Sequence, residues 1–106
     1  MAYGSPHFGE TTQLYCEIES RDGETFTLVS ATVTITNSTG TKLRNNVAAS
    51  VDNDSDPPRA YYSETFTAAN GYTEGELCKA MFRVVIGSNV EIHEDSFVVE
   101  SVAGLP

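Results

Sequence analysis

Glu76-Leu-Cys-Lys-Ala-Met-Phe-Arg-Val-Val-Ile86 is the stretch on which the fold turns. Cys78, Ala80, Phe82, Val84 and Ile86 alternate with Leu77, Lys79, Met81, Arg83 and Val85. A period of two places one apolar set on a buried face, and the partly apolar second set predicts a central strand covered on both sides. Gly87-Ser88-Asn89 follows as a short hairpin turn. Beyond it, Val90 and Ile92 have one parity and Phe97 and Val99 the other, so a β-bulge is expected between His93 and Ser96.

The same alternation recurs upstream. Leu14, Cys16 and Ile18 alternate with Tyr15, Glu17 and Glu19 up to the turn Arg21-Asp22-Gly23. Val29, Ala31, Val33 and Ile35 alternate with Ser30, Thr32, Thr34 and Thr36 up to Asn37-Ser38-Thr39-Gly40. Residues 41–44 and 47–51 read as two short pieces before Asp52-Asn53-Asp54-Ser55-Asp56-Pro57-Pro58, where the prolines end any ladder. Residues 60–67 place Tyr62, Glu64 and Phe66 on one face, and Asn70-Gly71 with Gly75 mark a loop. An edge strand near residues 6–9 completes the count.

Of 106 residues, 26 are Thr, Val or Ile, and no segment of helical period connects the strands. Parallel crossovers are therefore absent from the expectation, which is an all-β, antiparallel β-sandwich of seven to eight strands. The expected core is Leu14, Cys16, Ile18, Val33, Ile35, Tyr62, Phe66, Cys78, Phe82, Val84, Val90, Ile92 and Phe97, with Thr34 outward. One domain is expected over residues 1–106, with its core at about 9–101 and extended termini.

This order of signals resembles the immunoglobulin-like superfamily over nearly the whole chain. Cys16 and Cys78, 62 positions apart, stand where that family's inter-sheet disulfide would lie. The chain has no tryptophan, and Glu76 occupies the tyrosine-corner position, so antibody-type domains are a poor match. The run from Ala31 to Gly40, then Tyr62, Thr65-Phe66, Gly75, Phe82 to Gly87 and Phe97-Val-Val99, is similar to small Ig-like domains of tailed-phage virion proteins and bacterial surface proteins. The resemblance implies a disulfide at Cys16 and Cys78. Two reduced buried thiols fit the same pattern.

Fifteen acidic residues against six basic ones leave a net charge of −9, which repels phosphate backbones and excludes nucleic acid as a partner. No apolar run approaches a membrane span, and Met1-Ala2-Tyr3-Gly4-Ser5-Pro6 lacks the basic and apolar regions of a secretory leader. No membrane partner and no export by that route are expected.

Asp52, Asp54 and Asp56 place carboxylates at the spacing of a calcium loop, but Pro57 stands at the sixth position and Ser63 at the twelfth. They are the one metal candidate, with Ca2+ its ion, and a solvated acidic loop is the competing reading. His7 and His93 are distant in sequence and His93 alternates outward, so both read as surface residues. Asn37-Ser38-Thr39 and Asn53-Asp54-Ser55 match the N-glycosylation pattern. No nucleophile elbow, P-loop or dinucleotide fingerprint occurs, so neither an enzyme nor a cofactor is expected. Tyr3, Phe8, Tyr15, Tyr61 and Tyr72 fall on loops or outward faces and form the candidate interface.

The expected function is that of a non-enzymatic virion structural protein of a tailed virus, a capsid decoration or neck or tail accessory protein. It would dock on capsid or tail proteins in many copies or as a homo-oligomer. The alternative is an Ig-like module of a secreted adhesin or cell-wall protein, located at the cell surface.

Overall fold

The computed structural model describes residues 6–19, 27–55 and 57–100. Six strands occur among them: β1 (Thr11–Glu17), β2 (Leu28–Thr36), β3 (Lys42–Asp52), β4 (Arg59–Thr65), β5 (Leu77–Ile86) and β6 (Asn89–Val98). A 3-10 turn at Ala68–Asn70 is the one helical element among the described residues. All strand pairings are antiparallel, in the order β1-β4-β3-β2-β5-β6. The two ends of this order meet at a parallel bridge between His7 and Glu100, so the sheet curls into a half-barrel. The edge strand expected at residues 6–9 is this short bridge, in which Phe8 N donates to Glu100 O at 2.8 Å.

The described residues form six strands where seven to eight were expected over the chain. Residues 41–44 and 47–51, read as separate pieces, belong to one strand, β3. Its first part pairs with β2 as far as Ala49, and its last three residues, from Ser50, pair with β4. One long strand thus links the β1–β4 half of the sheet to the β2–β5–β6 half.

Apolar residues of one parity line the concave side. Leu14, Cys16, Val33, Ile35, Phe66, Cys78, Phe82, Val84 and Phe97 are buried there as expected, with Ile18 beside them. Phe66 packs against Tyr72 with the rings tilted 58° and their centres 4.7 Å apart, and meets Phe97 edge-on at 5.5 Å. Tyr62, expected in the core, is half-buried at its margin.

The expected bulge in β6 is absent. Register runs unbroken from Leu77 opposite Val98 to Ile86 opposite Asn89. Strict alternation then puts Val90 and Ile92 on the convex face, 45% and 53% exposed, and they do not belong to the core. It also turns His93 toward the concave side, opposite Phe82, where it is half-buried instead of outward. The turn before β6 needs no longer loop, because Gly87 takes a φ of 58° at the first central position of a two-residue hairpin.

The irregularities lie elsewhere, at residues 28–30 of β2 opposite β5 and in β3 opposite β2. Val33 pairs with Val47 but Ile35 pairs with Arg44, so β3 spends one more residue than β2. Asn46 takes up the extra length at a φ of 50°, a conformation that asparagine tolerates well. Thr34 accepts the hydrogen bond of Asn46 N at 3.0 Å. For that reason Thr34 is 6% exposed, although it stands on the outward parity where an exposed residue was expected.

Candidate docking surfaces

The bulge at Asn46 has a second effect, on Arg44. Continued alternation from Val47 would point Arg44 outward; the extra residue returns it to the concave parity opposite Ile35. There its Nε lies 2.8 Å from Glu64 Oε2, and its Nη2 donates to Glu64 Oε1 at 3.1 Å. Glu64, on β4, also accepts from Tyr72 OH at 2.8 Å and from Thr65 N at 3.1 Å. Burial, helped by the Glu64 carboxylate, drives the Tyr72 phenol far above its ordinary range. Tyr72 was expected at an interface but is 2% exposed and forms part of the core. Sequence reasoning placed Glu64 beside Tyr62 and Phe66 without seeing its role. Its position between Tyr62 and Phe66, on a parity otherwise apolar, was the available signal.

Two of the other interface candidates come together. Tyr15 and Tyr61 are direct cross-strand partners on the convex side of β1–β4. Two rungs further, on the same face, Glu17 faces Arg59, whose guanidinium lies 5.2 Å from the centre of the Tyr15 ring and whose Nε donates to Ser55 Oγ at 3.2 Å. Both tyrosines are half-buried, and with Arg59 they form an aromatic and cationic patch of the kind that anchors interfaces. Phe8 is half-buried and packs on the core. Tyr3 lies outside the described residues.

A larger surface was not legible as such. On the convex side of β5–β6, Leu77 faces Val98, Met81 faces Glu94, Arg83 faces Ile92 and Val85 faces Val90. Leu77, Val90, Ile92 and Val98 are all exposed. The same face continues over β2 and β3 through Thr36, Lys42 and Thr34, where a groove of about 220 Å³ opens between Lys42, Lys79, Met81 and Glu94. A second depression, of about 290 Å³, adjoins it at Thr36 and Lys79.

The loop proposed to hold calcium is organised by its own hydrogen bonds. Asp52 Oδ1 accepts from Asp54 N at 3.0 Å and Ser55 N at 3.2 Å. Asn53 spends both ends of its amide on the Leu28 backbone, at 2.8 and 3.1 Å. Asp56 lies outside the described residues, and among the described residues no three His, Cys, Asp or Glu side chains gather as a metal site. Asn37, the other glycosylation candidate, holds its turn by accepting from Thr39 N and Thr41 N. His7 stands 3.8 Å from both Glu10 and Glu100, and His93 Nε2 is 2.9 Å from Glu91 Oε1.

Cys16 and Cys78 are free, buried thiols. Burial pushes both up to about 11, which keeps them protonated and unreactive at neutral pH. No family model, no curated protein and no solved structure matches the chain.

Proposed function

We propose that this chain is an immunoglobulin-like β-sandwich without enzymatic activity, working as a structural protein of a tailed-virus particle by docking on capsid or tail proteins. The observation that carries the docking reading is the convex face of β5–β6, where four large aliphatic side chains are exposed beside Lys79, Met81 and Arg83. The chain's buried ionisable groups support a non-catalytic role. Glu64 is held by Arg44 and Tyr72, and both thiols are protonated.

The sandwich reading rests on β3, whose two ends pair with different halves of the sheet, as expected where a strand passes between packed layers. The virion placement rests on the resemblance carried by the run from Ala31 to Gly40 and by Phe82 to Gly87, with the acidic charge that keeps a many-copy protein soluble.

Sequencing the DNA that flanks the reading frame tests the placement. Neighbouring capsid, portal or tail genes support it. A frame that runs on into repeats or a cell-wall anchor overturns it in favour of an adhesin module.

A further inference from the structure

The five basic side chains among the described residues are not equivalent. Arg44 is bound by Glu64, and Arg59 lies over Tyr15 with Glu17 and Asp52 as cross-strand neighbours. The remaining three, Lys42, Lys79 and Arg83, all leave the convex face of β3–β2–β5. They are exposed, and none makes an ion pair with another described residue. Glu94 is the single carboxylate among the outward residues of β5 and β6. Among the described residues, a chain of net charge −9 therefore concentrates its unpaired cations on the face that also exposes Val90 and Ile92.

The surface complementary to that face is present on the same molecule. At one end of β1–β4–β3, Glu17 and Asp52 flank Arg59, with exposed Glu19 and Asp54 directly beyond them. Two cationic faces brought together would repel. A head-to-tail contact, acidic end against cationic face, joins opposite charges instead.

We infer that the convex face of β3–β2–β5–β6 seats the acidic end of a second copy of this chain. The inference rests on the docking reading above and names its partner. Lys79 and Arg83 supply the attraction, and Ile92, Val90 and Met81 exclude water around the charge pairs. A contact of this kind repeats from copy to copy, building rings or filaments according to whether its rotation closes.

Sedimentation equilibrium of the full chain tests this at about 0.1 M and about 1 M salt, between which the screening length falls from about 10 Å to about 3 Å. The expected result is a mass that rises with concentration at the lower salt and returns to the monomer at the higher. Lys79→Gln with Arg83→Gln should raise the concentration of half-association by about tenfold or more. Gln13→Glu with Ala69→Glu, which carries the same net charge, should leave it unchanged. Lys79→Glu/Arg83→Glu and Glu19→Lys/Asp54→Lys should each stay monomeric alone and associate when mixed.

A monomer at every concentration and salt overturns the inference, as does association that salt or the Lys79 and Arg83 substitutions leave untouched. Either result leaves the docking reading to be decided by the flanking genes, so the two can fail separately.

Discussion

Arg44 and Glu64 form a two-pronged ion pair, at 2.8 and 3.1 Å, between a bulged strand and its neighbour. Glu64 is 4% exposed, so its carboxylate depends on this partner and on Tyr72 for the contacts that water would otherwise supply. Arg44→Ala should cost about 3–5 kcal/mol in urea unfolding, because it strands a buried charge. Replacing the whole buried group together, Arg44→Met with Glu64→Leu and Tyr72→Phe so that no hydroxyl is left without its acceptor, should restore most of that loss. A triple variant no more stable than Arg44→Ala would contradict the assignment.

Thr34 is held in place by a backbone amide. Val would fill the same space but leave Asn46 N without its acceptor at 3.0 Å, and Thr34→Val should therefore cost about 1–3 kcal/mol. Asn46→Gly should change stability far less, since a φ of 50° costs glycine nothing. Chemical denaturation of the two variants side by side separates the hydrogen bond from the backbone conformation.

Phe82 and Ile92 lie on adjacent strands and on opposite faces of the sheet. Phe82→Ala should cost about 3–5 kcal/mol, since the ring is fully buried and its loss leaves a cavity. Ile92→Ala, at a side chain 53% exposed, should stay within about 0.5 kcal/mol of the parent. Comparable losses at both positions would show that the parity of β6 is assigned wrongly.

Alkaline pH should loosen the fold through its thiols. Burial raises Cys16 and Cys78 from 9.0 to about 11, so the folded chain holds these protons more tightly than the unfolded one. Their contribution is complete below pH 9 and is lost as pH rises toward about 11. Stability of the parent should fall across that window, and Cys16→Ala with Cys78→Ala should flatten the fall. Both thiols of the parent should resist a disulfide reagent at neutral pH until urea unfolds the chain.

Much of the site was visible in parts. Tyr15 and Tyr61 were recognisable as outward aromatics, and the strand registry supplied their pairing, which a separation of 46 positions in sequence conceals. Tyr72 shows the reverse. It reads as a loop aromatic, yet the loop folds over Phe66 and delivers the phenol to Glu64. The cationic convex face was hidden because Lys42, Lys79 and Arg83 are scattered along the chain and gather only when β3, β2 and β5 lie side by side.

Alternation of period two, broken at glycine, asparagine and proline, was enough by itself to determine that this chain forms strands, where most of them run, and that Phe82 and Val84 share a face. These are properties of neighbours along the backbone, whose side chains must point to opposite sides of any extended segment. Which face becomes the inside was decided by the tertiary structure, because burial requires a partner surface. Val90 with Ile92 and Phe97 with Val99 are equally apolar, and only the unbroken pairing of β6 with β5 chooses between them. The bulge at Asn46 is likewise a mismatch in length between two strands, and it exists only once β2 and β3 are paired. With it comes the inward turn of Arg44 onto Glu64, which the local pattern of neither strand contains.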